Sequence, residues 1–218
     1  MKFGIYPNLG KKDLKMALER LTALLRDKNI DYSLPLSMKK GLMDMGFTED
    51  TYETDESMGK RDFILSVGGD GSFLGAARAF RDYPVLMAGL HLGDLGFLNS
   101  MTLKDMEKRV DQILSGDYQE EHRLYLSAAL IHGDGRREKL PTVLNDVVIG
   151  HASIGQLARI RLFINDSFIQ EYAADGLIIS SPTGSTRNSK SCGGPELGPS
   201  EARIISVPIC APTLQRDA

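Results

Sequence analysis

The sequence predicts an α/β half followed by a β-rich half. In the first half, short apolar runs alternate with apolar residues at helical spacing, an order typical of a parallel sheet covered by helices. In the second half, apolar and polar residues alternate between turn signals, and little helix is predicted between them. We place the boundary so that residues 1–118 form the α/β domain and residues 119–218 form the β-rich domain.

Apolar runs and helical spacing locate the elements of the α/β domain. Residues 31–60 are polar and irregular, and the four acids between Glu49 and Asp55 predict a solvated loop. Thr102–Asp105 resembles a capping box that opens a helix. Together the elements predict a Rossmann-like parallel sheet, in which ligands bind at the carboxyl ends of the strands. Strands are predicted at Lys2–Tyr6, Phe63–Val67 and Val85–Ala88, and further helices at Leu14–Leu25 and Ser72–Phe80.

Alternation predicts the strands of the second domain, which we expect to be all-β and sandwich-like. Turns are expected at Gly133–Gly135 and Asn165–Asp166. Because Gln215–Ala218 does not resemble a finished domain end, we expect this domain to be incomplete. The predicted strands are Leu124–Leu130, Val143–Ile149, Ile160–Ile164 and Leu177–Ile179.

Composition excludes several classes of protein. The formal net charge is −3 and the basic residues are scattered, which argues against a nucleic-acid partner. No stretch approaches the roughly 20 apolar residues of a membrane span, and the amino terminus lacks the apolar run of a signal peptide. Cys192 and Cys210 have no metal-like spacing and predict a reducing compartment. We therefore expect a cytoplasmic protein.

The turn Gly68-Gly69-Asp70-Gly71 lies between a predicted buried strand and a helix. Glycines let the backbone approach a phosphate, and the start of the helix directs N–H groups at it. Asp70 would repel a phosphate unless a metal ion lies between them, or unless it takes a proton from the attacking hydroxyl. The alternative is a tight turn in which Asp70 caps the helix.

A second glycine segment, Gly89–Leu98, also follows a predicted strand. Phe97 could stack on a purine, or it could be a core residue. His91 could take part in the chemistry, or it could be structural.

Two polar segments in the β-rich domain could bind a ligand. Asn145 and Asp146 point to opposite faces of a predicted strand, so one of them should be buried and need a partner, either a ligand or a neighbouring loop. Asp175–Thr186 places an acid before a strand and a Ser/Thr/Gly loop after it, which could bind a ribose, an amide or a phosphate. Lys190 and Ser191, with Gly193–Gly194, could extend that surface.

Together these segments resemble the NAD kinase family, in the family's order. The matching segments are Gly68–Gly71, Leu95–Leu98, Asn145–Asp146 and Asp175–Thr186. The last one is close to the family's DGLIVSTPTGST run and is highly specific. The first one also occurs in diacylglycerol-type lipid kinases and phosphofructokinases.

The resemblance implies a role for each matching residue. Asp70 would be the base that takes the proton from the 2′-hydroxyl of the adenosine ribose of NAD, and ATP with Mg²⁺ would approach through the glycine loop. The family's members usually form dimers or tetramers through their β domains. The residues implied to bind the nucleotides are Gly68, Gly69, Gly71, Phe97, Asn145, Asp146, Asp175, Thr183, Thr186, Arg187, Asn188, Ser189, Lys190 and Ser191.

The chain departs from the family's pattern near this site. Arg187 and Asn188 stand where Ala-Tyr is usual, so stacking on the ligand should weaken, and Arg187 either blocks the pocket or attracts a phosphate. Asp146 is one methylene shorter than the usual Glu, and Gly75 replaces a residue that is often basic.

Two alternatives to an NAD kinase remain open. A GGDG lipid kinase is disfavoured by Asp175–Thr186 and by the expected lack of an exposed apolar face. A catalytically silent NAD(P)-binding module is suggested by Arg187, Asn188 and the short carboxyl terminus.

Overall fold

The computed structural model describes residues 1–93, 96–150 and 157–210. The chain forms two compact units, the first spanning Met1–Gln119 and the second beginning at Glu120.

The first unit is built on a six-stranded, all-parallel sheet with the strand order β3-β2-β1-β4-β5-β6. Its strands are β1 (Lys2–Pro7), β2 (Asp31–Pro35), β3 (Tyr52–Glu53), β4 (Phe63–Gly68), β5 (Leu86–His91) and β6 (Met101–Thr102). Its helices are α1 (Leu14–Asp27), α2 (Lys39–Asp44), α3 (Asp55–Met58), α4 (Asp70–Ala79) and α5 (Met106–Ser115), with a 3₁₀ turn at Leu36–Met38.

The core of this unit explains why the elements form where they do. Every residue of β4 is buried, as expected for a central parallel strand with both faces covered. Helix α1 buries Leu14, Leu18, Leu21 and Leu25 against the sheet, which is the predicted apolar stripe.

The register brings the loops after β1, β4 and β5 to one edge of the sheet. Pro7 pairs with Val67, and Gly68 pairs with His91. The carboxyl ends of these three strands are therefore adjacent, and the residues that follow them can share a site.

Two predictions for this unit are wrong. Residues 31–60 are not irregular, since they contain β2, β3, α2 and α3, and β3 lies within the acidic segment predicted as a loop. The polar residues around β2 gave no sequence pattern typical of a strand. The central residues of β2 are nevertheless buried, because the strand pairs with β1. Thr102–Asp105 does not open a helix as a capping box, because Thr102 belongs to β6 and α5 begins only at Met106. Asp105 instead accepts hydrogen bonds from the backbone and hydroxyl of Thr102.

The second unit consists of small antiparallel sheets. Strand β12 lies between β13 and β9, while β7–β8 and β10–β11 form separate hairpins. Its strands are β7 (Ala129–Ile131), β8 (Arg137–Lys139), β9 (Asp146–Gly150), β10 (Ala158–Ile164), β11 (Ser167–Ala174), β12 (Gly176–Ser180) and β13 (Ile205–Ile209). A short helical turn, α6 (Pro182–Gly184), continues into a wider turn at Ser185–Ser189. The strand predicted at Leu124–Leu130 is mostly absent, since β7 begins at Ala129 and Leu126 makes only an isolated bridge to Val143.

The expected lack of an exposed apolar face is also wrong. On the β10–β11 hairpin, Phe163, Ile164, Phe168 and Ile169 are all more than half exposed. A two-stranded sheet cannot cover both of its own faces, so alternation leaves these side chains in solvent. Among the described residues, no helix is both long enough and apolar enough to span a membrane.

Candidate active site

The glycine turn between β4 and α4 holds the backbone in a conformation that only glycine adopts easily. Gly68 has φ of 154°, and a Cβ there would lie 2.1 Å from the hydroxyl of Ser72. Gly69 is the residue that precedes α4, and Ser72 in the first turn reaches back to accept the Gly69 N–H at 3.1 Å. The helix therefore begins at Asp70, directly after a buried strand.

Asp70 does not cap its own helix, so the capping alternative is wrong. Its carboxylate accepts the backbone N–H groups of Phe97 (2.9 Å) and Leu98 (3.2 Å) and the side-chain amide of Asn99 (2.8 Å). These donors come from the second glycine segment, after β5. The two glycine segments predicted separately are thus joined through this one carboxylate.

Gly96 makes this contact possible. A Cβ at Gly96 would lie 2.3 Å from the carboxylate oxygens of Asp70, closer than any side chain can approach. Leu95, which belongs to the same predicted motif, lies outside the described residues. Phe97 is 68% exposed, so it is not a core residue, and its ring is open to contact with a ligand.

A cavity of about 380 Å³ opens beside the glycine turn. The cavity is lined by ionisable side chains as well as by backbone. Lys11, Asp70 and His91 all line it, and His91 is only 7% exposed. The lining residues are Asn8, Lys11, Gly69, Asp70, Gly71, Ser72, His91 and Gly96.

Asn8 fixes the turn after β1 against the glycine turn. Its backbone N–H donates to Val67 at 3.0 Å, and its side-chain amide donates to the Ser72 hydroxyl at 2.9 Å. Because these bonds tie the residue after β1 to β4 and to the first turn of α4, the segment that carries Lys11 is held at the edge of the cavity.

In the second unit, the loop after β12 packs on the backbone before β9. The Ser181 N–H donates to the Asn145 carbonyl at 2.8 Å, and the Ser181 hydroxyl donates to the Leu144 carbonyl and accepts the Gly184 N–H. A Cβ at Gly184 would lie 2.4 Å from the Asn145 carbonyl. The Ser/Thr/Gly composition of this loop therefore allows close packing as well as hydrogen bonding.

The predicted Asn145–Asp146 pair is partly buried at both positions. The side-chain oxygen of Asn145 is buried and has no hydrogen-bond partner among the described residues. Asp146 accepts the side-chain amide of Asn188 at 3.3 and 3.5 Å. Burial raises the pKa of Asp146, and this effect exceeds the opposing effects of the Asn188 hydrogen bond and the nearby charge of Arg187.

The other predicted residues of the second unit differ in their surroundings. Thr183 is buried and accepts a hydrogen bond from Arg123 at 3.2 Å, and Ser189 is buried with an unpartnered hydroxyl. Thr186 is half-buried, whereas Asp175, Arg187 and Ser191 are exposed, and Lys190 pairs with Glu196.

Sequence reasoning missed Lys11, Asn8, Ser72 and Asn99. Asn8 and Lys11 were missed because nothing in the local sequence shows that β1 lies beside β4. A usable signal existed, because a polar turn directly after a buried parallel strand is a common place for ligand contacts.

Among the described residues there is no group of three or more His, Cys, Asp or Glu side chains that could hold a metal ion by itself.

Comparisons with known proteins identify the family of this chain. The family model of the ATP-NAD kinase N-terminal domain matches residues 3–118, and that of the ATP-NAD kinase C-terminal domain matches residues 144–218. The NAD kinase of Thermoanaerobacter sp. (strain X514) is 35% identical over 214 residues, which cover 98% of this chain and 74% of the relative. The NAD kinase of Saccharophagus degradans is 37% identical, over 97% of this chain and 71% of the relative.

Solved structures share the fold. Yeast NADH kinase, complexed with NADH, has a TM-score of 0.85 at 22% identity and covers 99% of this chain and 67% of its own. An NAD kinase from Archaeoglobus fulgidus in complex with ATP has a TM-score of 0.72 at 20% identity, over 97% and 73% of the two chains. With both domain models matched in order and relatives above 30% identity over nearly its whole length, the chain belongs to the ATP-NAD kinase family.

Proposed function

We propose that the NAD kinase reaction of this chain depends on Asp70, which takes the proton of the NAD ribose 2′-hydroxyl as the γ-phosphate of ATP is transferred. One observation carries the assignment: this carboxylate faces a cavity at the start of α4 and is held there by three donors. A phosphoryl acceptor site needs a fixed proton acceptor next to backbone that can bind phosphate, and the proposal is supported by a fixed carboxylate beside a glycine turn at this edge of the sheet.

The proton balance of the step is simple. The hydroxyl oxygen forms a bond to the γ-phosphorus, the bond to the β-phosphate oxygen breaks, ADP leaves, and the hydroxyl proton passes to the carboxylate. A carboxylate is a far weaker base than a sugar alkoxide, so Asp70 accepts the proton as the new bond forms rather than beforehand. Such general-base help is worth roughly 10²–10⁴-fold, and positioning and electrostatics supply the rest.

The residues predicted to bind NAD in the second unit are proposed as a separate set. The orphaned oxygen of Asn145 and the partly buried carboxylate of Asp146 are hydrogen-bond acceptors suited to ribose hydroxyls or an amide N–H. Asp175 is proposed to contact the nicotinamide end. The segment Thr186–Ser191 is proposed to line the adenine pocket, and Thr183 is proposed to contact the nucleotide.

The donor is proposed to be ATP carrying a divalent cation, with Gly68, Gly69 and Gly71 beside its phosphates. Gly71 borders open space, since no atom lies within 4 Å of the position that a Cβ would take there. A ligand could therefore approach the backbone at this residue. Mg²⁺ characteristically binds through substrate phosphates and one or two carboxylates, and it would offset negative charge in the transition state.

The proposal is tested by incubating the chain with NAD, ATP and Mg²⁺ and measuring NADP with an NADP-specific enzyme. The parent chain should form NADP, and Asp70→Asn should lower kcat by about 10²–10⁴-fold while the affinity for NAD stays within a few-fold. If Asp70→Asn kept a turnover close to that of the parent, Asp70 would not be the base.

A second candidate function is an NAD(P)-binding module without turnover. It is favoured by the bond from Asn188 to Asp146, which occupies a carboxylate proposed to bind NAD. Calorimetric binding of NAD together with no NADP formation under the assay conditions above would support this alternative.

We also propose a homo-oligomer, a dimer or tetramer, formed through the β-rich unit. The exposed apolar side chains of the β10–β11 hairpin support this proposal, because a patch of this kind in a soluble protein commonly marks an interface. A cytoplasmic location is proposed as well, supported by the free thiols of Cys192 and Cys210.

A further inference from the structure

Lys11 lies beside the glycine turn, and its side chain has no partner among the described residues. It follows β1 in the turn held by Asn8, and it lines the cavity beside Gly69, Asp70 and Gly71. Within the described chain, its ammonium group makes no ion pair and no hydrogen bond. A cation that is only partly exposed and faces a cavity, with no acidic partner, is available to bind an anion.

His91 reaches the same cavity from β5. It is 7% exposed, and its Nδ1 is buried without a hydrogen-bond partner among the described residues. A buried ring nitrogen left unpaired costs free energy, so a partner supplied by a ligand or an ordered water would be favourable. His91 therefore places a second polar side chain at the cavity, independent of the helix start.

Lys11 and His91 flank the glycine turn. A Cβ at Gly69 would lie 3.8 Å from the Lys11 ammonium and 3.7 Å from the His91 Nε2. Because Gly69 has no side chain, a ligand in the cavity could approach both nitrogens across this residue. The start of α4 lies beside this turn, and backbone N–H groups at a helix start are suited to bind an anion.

Charge explains why a lysine is needed there. The Asp70 carboxylate also lines the cavity and would repel a phosphate group placed beside it. Its three hydrogen-bond donors, which come from Phe97–Asn99, offset part of this charge, but all of them are neutral. Among the described residues that line the cavity, Lys11 is the one that supplies a full positive charge.

We propose that Lys11, assisted by His91, binds the phosphate chain of the donor nucleotide at the Gly69–Gly71 turn. The inference rests on the proposed function, since the ligand is the phosphoryl donor. The donor, rather than NAD, is the expected ligand because the group to be transferred must lie beside Asp70, and Lys11 lines the same cavity.

The test measures binding by calorimetry on the full chain, with NAD absent so that no turnover occurs. MgATP, inorganic tripolyphosphate and NAD are titrated separately into the parent, Lys11→Met, Lys11→Arg and Lys12→Met. Lys12 is the adjacent residue and is exposed, so Lys12→Met makes the same change in net charge away from the cavity.

Lys11→Met should weaken MgATP and tripolyphosphate binding by about 10- to 100-fold, the range for losing a hydrogen bond to a charged group. Lys11→Arg should recover part of this loss, and Lys12→Met should stay within about twofold. NAD binding should be unchanged in all three variants. His91→Phe keeps an aromatic ring at this position but removes both ring nitrogens, and it should weaken MgATP binding by roughly 3- to 10-fold.

The inference is overturned if Lys11→Met leaves MgATP binding unchanged, if it weakens NAD binding to the same extent, or if the parent binds no MgATP. A fold change shared by Lys12→Met would indicate general electrostatics and would also overturn it. If the parent binds MgATP through Lys11 but forms no NADP, the proposed function fails while this inference stands. Equal thermal midpoints of parent and variants establish that each chain is folded.

Discussion

At the scale of single residues, the hydrogen bonds of Asp70 decide what this carboxylate can do. An ionised carboxylate offers about four lone-pair positions, and three are taken by Phe97, Leu98 and Asn99. The bound donors fix the carboxylate's orientation and leave room for one more hydrogen bond. A substrate hydroxyl that donates that bond would be oriented for attack before any bond to phosphorus forms.

Gly96→Ala tests this arrangement without altering the carboxylate itself. A methyl group at Gly96 would lie 2.3 Å from the Asp70 oxygens, so the segment or the carboxylate must move by about 1 Å. We expect turnover to fall by about 10²-fold, as for other misplacements of this size, with little change in NAD affinity.

The matched control is Gly133→Ala in the second unit, where no atom lies within 4 Å of the Cβ position and φ is not positive. It should retain parental turnover in the same coupled assay. Equal loss in both variants, or no loss in Gly96→Ala, would contradict the role given to the Gly96 contact.

The pKa of Asp146 gives a second prediction at this scale. Burial raises this pKa, while the nearby positive charge of Arg187 opposes the rise. Arg187→Ala should therefore raise the pKa of Asp146 further, because the opposing charge is gone. The measurement is an NMR titration of the Asp146 carboxyl carbon in both proteins. A pKa that falls, or does not change, would show that Arg187 lies too far from Asp146 to act on it.

At the scale of elements, a largely buried arginine holds β3 against the sheet. The Arg61 side chain is 7% exposed, and it donates to both oxygens of Glu53 at 3.0 and 2.7 Å and to the Phe3 carbonyl at 3.1 Å. Ser33 and Ser57 add further donors to Glu53. A two-residue strand can form at the sheet's edge because side chains, rather than a long ladder, fix it there.

Arg61→Met should destabilise the fold by roughly 2 kcal/mol, because it leaves Glu53 with fewer donors. The Arg61 hydrogen bond is also the main reason that the pKa of Glu53 lies below its ordinary value of 4.5. That stabilisation is fully present above the unfolded pKa and is lost as the pH falls through the lower folded value. The gap in denaturation midpoint between parent and variant should therefore narrow below about pH 4.5.

Lys60→Met is the control for this prediction. Lys60 pairs with Glu56 one helical turn away, and both side chains are mostly exposed. Exposed pairs of this kind are worth under about 1 kcal/mol, so the midpoint should hardly change. A similar loss in both variants, or a gap that widens in acid, would contradict the assignment to Glu53.

Some elements were predictable from sequence and others were not. Strand β4, with its continuous apolar run, and helix α1, with its leucine stripe, follow from local pattern. Strands β2 and β3 do not, since Asp31–Pro35 contains few apolar residues and is stabilised by pairing with β1 rather than by its own composition. Thr102 illustrates the same limit, because the pairing of β6 with β5 overrides its capping-box pattern.

At the scale of the whole molecule, the apolar face of the β10–β11 hairpin bears on assembly. Phe163 and Phe168 contact each other edge to face, at 5.6 Å between ring centroids, and both are more than half exposed. Burying one such ring in an interface is worth about 1.5–3 kcal/mol per protomer. Phe168→Glu should therefore lower the mass measured by light scattering to that of the monomer.

Met16→Glu provides the comparison. Met16 is a similarly exposed apolar residue on α1, in the other unit, so this substitution should leave the mass unchanged. If the parent chain is a monomer, or if Phe168→Glu keeps the parental mass, the hairpin is not the interface.

By itself, the sequence determined the alternation of strand and helix, the glycine turn that carries Asp70, and the Asp175–Thr186 segment whose resemblance names the family. Each of these is local, since strand, turn and helix chemistry acts over a few neighbouring residues. Only the tertiary structure decided that Asp70 binds Phe97–Asn99 and that Lys11 faces the same cavity. The reason is that strand order and register determine which distant loops meet at one edge of a parallel sheet, and no local pattern encodes either one.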